Sequence, residues 1–265
     1  MNPETRKNAV VIGGGNGIGK ACAHLFAQRG WRVAVVDIDQ PAAQSVAGDI
    51  GSAAMAFPGD VASFEKLERL AATIEAGLGP VSSLVVSSGA FQPSLPPYSL
   101  PLDTWDQVMR VNLDGTYFAN RIFGSLMARR GAGSIVNIAS ITGMGSSPLH
   151  AYGTSKAGVI ALSQNLAGEW GRAGVRVNAV SPGVTLVDRL LKHRADGTRY
   201  YGGDFGAHAA MGRSVEPHEV AETVEFLASD RASAVTGINL LVDCGWAAAS
   251  LWEMFGGMRP ADAVT

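Results

Sequence analysis

Cysteine is nearly absent: Cys22 and Cys244 are the only two in 265 residues. Two thiols build no disulfide framework for a chain of this size and point to a reducing compartment. The five histidines and the acidic residues do not fall at metal-ligand spacing, so no metal site is expected. Neither sign of charge dominates, with 21 basic and 23 acidic residues and a formal net charge of -2. That balance leaves no electrostatic case for nucleic acid or an anionic membrane as partner. No apolar run is long enough to span a membrane, and residues 1–8 are polar and lead straight into a strand, without a signal-peptide pattern. A cytoplasmic location is the expectation. No internal repeat and no interdomain linker is visible.

What remains is apolar and glycine-rich: 47% of the residues are hydrophobic and 33 are glycine. This suits buried parallel strands joined by tight turns. Apolar, β-branched runs fall at 9–12, 32–36, 53–57, 83–87, 134–139, 175–180 and 238–242. Stretches of helical periodicity separate most of them. Ile18, Cys22, Leu25 and Phe26 share one helix face; Asp103 reads as an N-cap before Trp105, and Pro217 as the first residue of a late helix. The alternation predicts an α/β fold, a doubly wound, seven-stranded parallel sheet with helices on both faces, as one domain over 1–265. Two segments break the rhythm. Residues 186–214 lack a strand signal, and a loop this long is usually functional, here a lid over a site. The tail at 246–265 carries Trp246, Trp252, Met254, Phe255 and Met258 and is expected to pack on a subunit or over a site.

Chemistry concentrates in three places. Tyr152 and Lys156 stand at i and i+4, so they share a helix face with Cβ atoms about 5–6 Å apart. A phenol ordinarily keeps its proton to about pH 10. A neighbouring ammonium favours the phenolate, so the pair can move a proton to or from an alcohol oxygen. Residues 10–19 read Val-Val-Ile-Gly-Gly-Gly-Asn-Gly-Ile-Gly, a strand running into a glycine turn. Such a turn lets backbone amides approach a pyrophosphate at a helix N-terminus, although tight dihedrals alone also call for glycine. Asp37 closes the next apolar run, where an acid can bind a ribose 2′-hydroxyl and would repel a 2′-phosphate. With no Arg or Lys between Gly13 and Gly19, and Ile38 after Asp37, NAD is favoured over NADP.

These segments, with Ser140 closing Ile-Val-Asn-Ile-Ala-Ser and Asn112 upstream, resemble the short-chain dehydrogenase/reductase family in the order that family uses. The resemblance covers about residues 8–246. It implies that Tyr152 is the general acid/base and that Lys156 lowers its pKa and binds the nicotinamide ribose. Ser140 would hydrogen-bond the substrate oxygen, and Asn112 would open its helix to a water that relays protons from Lys156. Gly13, Gly17 and Gly19, with Asn16 and Ile18 between them, take the place of the family's glycine motif. Asp60 and Val61 correspond to its adenine contact, although Asp is also a common turn residue. Pro182 and Gly183 correspond to its nicotinamide-side turn. Two departures stand out. Ile12 replaces a usual Thr, and Ser87-Ser88-Gly89-Ala90 replaces Asn-Ala-Gly, with Ser88 and Gly89 at the coenzyme. The two changes fall on groups that meet in the family and read as a repacked structural contact. Either Thr185 or Val187 would face the carboxamide.

Thr142, Met144, His150, Phe91, Gln92 and Val184 are the substrate-facing candidates, with His150 equally suited to a bond within its own loop. The loop residues His193, Arg194, Arg199, Tyr200, Tyr201 and His208 give the lid polar and aromatic character. Three readings compete. The first is an NAD-dependent dehydrogenase of a polar secondary alcohol such as a sugar, polyol or hydroxy acid. The second is a 3-ketoacyl-thioester (acyl carrier protein) reductase, with Arg129, Arg130 and Arg172 docking the carrier. The third is a catalytically idle dinucleotide-binding protein. The resemblance also implies a homotetramer built on paired helices and the last strand.

Overall fold

The computed structural model describes residues 7–195, 206–249 and 251–259. Seven parallel strands form one sheet in the order β3-β2-β1-β4-β5-β6-β7. They are β1 (Asn8–Ile12), β2 (Arg32–Asp37), β3 (Ala54–Pro58), β4 (Ser83–Val86), β5 (Gly133–Ile138), β6 (Val175–Pro182) and β7 (Asn239–Val242). Each lies within a residue or two of its expected run. Successive residues of the inner strands feed opposite faces. Val11, Val33, Val35, Val85 and Val136 pack with Phe26, Val220 and Leu227 on one side. Val10, Ile12, Val36, Leu84 and Ile135 pack with Leu67, Phe123 and Met127 on the other. A sheet covered on both faces explains why its strands read as continuous apolar runs rather than alternating ones.

The helices follow the crossovers. Among them are α1 (Gly17–Gln28), α2 (Gln40–Ile50), α3 (Phe64–Leu78), α4 (Leu102–Met109), α5 (Gly115–Ala119) and α6 (Ser125–Arg130). The long α7 (His150–Trp170) precedes α8 (Asp188–Ala195), α9 (Pro217–Ala228) and the short α10 (Trp246–Ala249). Cys22 and Phe26 of α1 are buried, with Ile18 and Leu25 packed beside them, as the periodicity predicts. Pro217 is the first residue of α9, behind a capping box made by Glu216 and Glu219. Asp103 is not a cap: α4 starts one residue earlier, with Pro101 at the cap position. The fixed φ of Pro101 starts the helix and leaves Asp103 in its first turn, where an acid suits the dipole.

Helices α4, α5 and α6 are one continuous run interrupted by π-helical turns at Arg110–Asp114 and Asn120–Gly124. Side chains enter the backbone ladder at both places. Thr116 Oγ1 donates to the Asn112 carbonyl at 2.6 Å, and Asn120 Nδ2 donates to the Thr116 carbonyl at 2.8 Å. Asn120 and Asn137 of β5 exchange a reciprocal pair of side-chain bonds at 2.8 and 3.0 Å, and Asn137 also donates to Ser163 of α7. This buried polar bridge ties the middle of the helical run to the strand that leads into Ser140.

No helix among the described residues is long and apolar enough to cross a membrane. Of the 186–214 segment, residues 186–195, with α8, and 206–214 are described, and an isolated bridge from Thr185 to Val215 joins its two flanks. Arg199, Tyr200 and Tyr201, and the side chains of His193 and Arg194, lie outside the described residues. In the tail, Trp246 meets His208 with ring centroids 5.4 Å apart, Ala249 is buried, and Met254 and Phe255 are exposed.

The Asn120–Asn137 pair generates a stability test. Asn120→Leu takes the Asn120 donor from the Asn137 side-chain oxygen and the Thr116 carbonyl, while Asn137 keeps its bond to Ser163. The substitution should cost about 2–3 kcal/mol, read as a lower urea midpoint at unchanged slope.

Candidate active site

The strand order reverses direction between β1 and β4, and the carboxyl ends of these two strands frame a crevice. Gly13 and Gly17 have φ of 77° and 53°, in the left-handed region that other residues avoid. A Cβ on Gly13 would lie 2.5 Å from the Ser88 amide nitrogen, and one on Gly19 would lie 2.0 Å from the Gly13 carbonyl oxygen. The turn therefore has room for glycine only. Asn16 stands at the cap of α1 without a side-chain capping bond. The first amides of that helix are thus left to an anion, and Ile18 and Gly19 lie in its first turn.

Asp37 is not a loosely solvated strand end. Its Oδ2 accepts from Gly15 N at 2.9 Å and its Oδ1 from Asp39 N at 3.0 Å, so the carboxylate is oriented beside the glycine turn. Asp60 makes the turn contact open to it, accepting from Ala62 N at 2.9 Å. Val61 is buried beneath Gly115. Ile12 sits in the core with Leu84 and Val86, while Ser88 Oγ is buried without a hydrogen-bond partner among the described residues. Gly89 lies next to the Asn112 side chain. Together the open glycine turn, the uncapped helix end and the fixed carboxylate fit a dinucleotide.

On the other side of the crevice, Pro182 ends β6 and Gly183 donates to Val242 O at 2.9 Å. A Cβ on Gly183 would meet Asp243. The Val184 carbonyl accepts from Val215 N. Thr185 turns its hydroxyl onto the Gly183 carbonyl at 3.1 Å, while the Val187 side chain lies against Gly17.

Ser140, Tyr152, Lys156 and Asn112 converge where β5 ends and α7 begins, and all four are buried. Lys156 Nζ donates to the Ile138 carbonyl at 2.7 Å and lies 5.7 Å from the centre of the Tyr152 ring. Burial pushes its ammonium down from the ordinary 10.5 to about 8. Ser140 Oγ accepts from Thr142 N at 3.2 Å and from Thr142 Oγ1 at 3.0 Å. The Thr142 amide fixes the Ser140 oxygen, and the two hydroxyls share one proton between them in either direction. The Asn112 side chain accepts from Ala90 N at 2.7 Å and donates to Ala90 O and to Ser155 Oγ, each at 3.0 Å. Ser155 in turn donates to the Tyr152 carbonyl at 2.8 Å. Asn112 thus clasps the 90–92 loop to α7.

The substrate candidates divide. Phe91 stacks on the Tyr152 ring, with centroids 4.5 Å apart. Thr142 joins Ser140. His150 instead lines a cavity of about 410 Å³ with Thr142, Met144, Ser147, Leu149 and Thr154. Tyr152 and Lys156 are not among its walls. His150, Gly153, Thr154 and Ala157 recur at i, i+3, i+4 and i+7, a helix face about a third of a turn from Tyr152 and Lys156. Ser155 was not singled out from the sequence; its position three residues after Tyr152, on the same helix side, was the available signal. Arg130 pairs with Glu75 at 2.9 Å and bonds the Val81 carbonyl, so it pins α6 to α3 rather than standing free.

A family model described as enoyl-(acyl carrier protein) reductase matches residues 13–247. The D-threitol dehydrogenase of Mycolicibacterium smegmatis is 38% identical over 245 residues, covering 91% of this chain and 92% of that protein. The galactitol 2-dehydrogenase (L-tagatose-forming) of Cereibacter sphaeroides is 40% identical over 244 residues, covering 90% and 94%. A crystal structure from Brucella melitensis named as a ribose-5-phosphate isomerase superposes with a TM-score of 0.91 at 46% identity, over 96% of this chain and 98% of that one. The chain belongs to the short-chain dehydrogenase/reductase family. It is an oxidoreductase of alcohol groups, in a family that works with nicotinamide coenzymes.

The buried ammonium generates a pH test. The folded pKa of Lys156 lies below its unfolded value, so below pH 8 both states hold the proton and the folded state bears the desolvation cost. That cost, about 3 kcal/mol, disappears as pH rises from 8 toward 10.5. Wild type should therefore gain stability relative to Lys156→Met across that window, measured as urea midpoints. A constant difference would show that the ammonium is not desolvated.

Proposed function

We propose that this enzyme is an NAD-dependent dehydrogenase of polyols or closely related polar secondary alcohols, producing the ketone. The Lys156 ammonium, held by the Ile138 carbonyl two residues before Ser140 and lying against the Tyr152 ring, carries the reading. Ser140, held by the Thr142 amide, would hydrogen-bond the substrate oxygen and orient it. Tyr152, as phenolate, takes the hydroxyl proton during oxidation and returns it during reduction. Lys156 is largely charged at neutral pH and favours that phenolate. Asn112 holds the 90–92 loop and α7 together beneath the reacting oxygen. The bound nicotinamide supplies the hydride acceptor.

Gly13, Asn16, Gly17, Ile18 and Gly19 would hold the pyrophosphate, Asp37 the adenosine ribose, and Asp60 and Val61 the adenine. Ser88, Gly89, Pro182, Gly183 and Thr185 would flank the nicotinamide half. The oriented Asp37 carboxylate supports NAD, because a 2′-phosphate would meet it directly. The polyol assignment is supported by the threitol and galactitol dehydrogenases, which align over nine-tenths of the chain. The segment at 186–214 would act as a lid, in one domain of a cytoplasmic homotetramer.

A panel of polyols, sugars, hydroxy acids and cyclic alcohols with NAD⁺ or NADP⁺ tests the assignment. NADH should form on polyols. Activity confined to acyl-thioester ketones with NADPH would move the assignment to a carrier-protein reductase, and coenzyme-independent conversion of ribose 5-phosphate would move it to an isomerase. Tyr152→Phe should lower turnover by about 10³-fold with NADH affinity nearly intact. Asp37→Ala should relax the preference for NAD over NADP by at least about tenfold, read as the ratio of kcat/KM values.

A further inference from the structure

Gln92 lies in the loop between β4 and α4, yet it is fully buried. Its Oε1 accepts from Ala151 N at 2.5 Å and from Tyr152 N at 3.0 Å. These are the second and third amides of α7, which begins at His150. Leu149 occupies the cap position and has no polar side chain to offer them. A residue some sixty positions upstream supplies the missing cap. The oxygen must be the atom facing the helix, since both partners are N–H donors, and Nε2 is left to reach the Pro93 carbonyl at 3.4 Å. The adjacent Phe91 lies nearly parallel to the Tyr152 ring, at an interplanar angle of 20°. One loop therefore grips Tyr152 by its backbone and by its ring.

We propose that Gln92 is a positioning residue for proton transfer by Tyr152, fixing the first turn of α7 with an acceptor that carries no charge. The proposal rests on the reading of Tyr152 as the acid/base. The commonest helix caps include Asp, and an anion would suit the helix dipole better than an amide. A carboxylate next to Tyr152 would also disfavour the phenolate and oppose the effect of Lys156. The carboxamide satisfies both amides without that penalty.

The surroundings make the charge of this one group matter. The apolar residues packed with Tyr152 are Trp105 and Val108 of α4 and Leu100 and Ala90 of the preceding loop. Asp103, Asp106 and Arg110 on that helical run are exposed. On α7 itself, His150 lines the cavity shared with Thr142 and Met144, and Lys156 approaches the ring. Ser140 and Asn112 are neutral. Among the described residues, a carboxylate at position 92 would be the anion added to this buried cluster.

The test compares Gln92→Glu and Gln92→Ala with wild type, with Tyr152→Phe as the control on the underlying reading. The readouts are the pH dependence of kcat for alcohol oxidation, NADH affinity by fluorescence, and thermal unfolding. Gln92→Glu keeps an acceptor for both amides. It should fold and bind NADH within about twofold of wild type, while the acidic limb of its kcat profile moves up by about one pH unit. Gln92→Ala should keep the limb in place and lose about tenfold in kcat as the first turn loosens. A folded Gln92→Glu chain with an unmoved limb overturns the proposal. If that chain does not fold, wild-type kcat in Gln92→Ala overturns it and the tenfold loss supports it. Retained turnover in Tyr152→Phe would instead remove the reading beneath it, whatever position 92 does.

Discussion

A buried ammonium with a backbone carbonyl for a partner is the constraint around which this site is organised. Lys156 is almost fully enclosed and donates to the Ile138 carbonyl. Burying a cation costs free energy unless polar groups take over from water. Among the described contacts no anion does so: Ile138 offers a carbonyl, and the Tyr152 ring lies 5.7 Å away. Had a carboxylate filled that role, the positive field at Tyr152 would be cancelled. The end of β5 must therefore hold its position, because both the carbonyl that bonds Lys156 and the Ser140 hydroxyl lie there. The Asn120–Asn137–Ser163 bridge anchors that strand to the helices on its flank.

The helical run from α4 to α6 is distorted beside the site. Two π-helical turns fall at Arg110–Asp114 and Asn120–Gly124, and the residues that bond across them, Asn112, Thr116 and Asn120, recur every fourth position. The side chains at these turns also reach outward: Asn112 bonds Ala90 and Ser155, and Asn120 bonds Asn137 of β5. Turns of this kind are frequent at functional sites, where a backbone group must be freed or a side chain re-aimed.

Much of this was legible in the sequence. The seven strands announced themselves because a sheet buried on both faces demands uninterrupted β-branched runs. Tyr152 and Lys156 were visible by type and spacing, while Ser140 and Asn112 stood out only through the family resemblance; all four are buried near the end of β5 and the start of α7. The π turns were not visible, since polar residues at i, i+4 and i+8 look like an ordinary helix face. Asp103 lost its capping role to Pro101, because a proline starts a helix through its own dihedral and leaves no mark on the periodicity. Gln92 was noticed as facing the site, but its bond to the amide of Tyr152 spans some sixty residues and no local pattern encodes it. His150 shares its surroundings with Thr142 and Met144, on a helix face turned from that of Tyr152 and Lys156.

The central claim is that a hydride leaves a secondary carbinol carbon of a polyol while Tyr152 takes the hydroxyl proton. Threitol or galactitol deuterated at its secondary carbinol carbons, incubated with NAD⁺ and the wild-type enzyme, tests it most directly. Deuterium recovered in the reduced coenzyme, in equal amount to the ketose formed, is the expected result. Deuterium released to water, or a product formed without any reduced coenzyme, would contradict it.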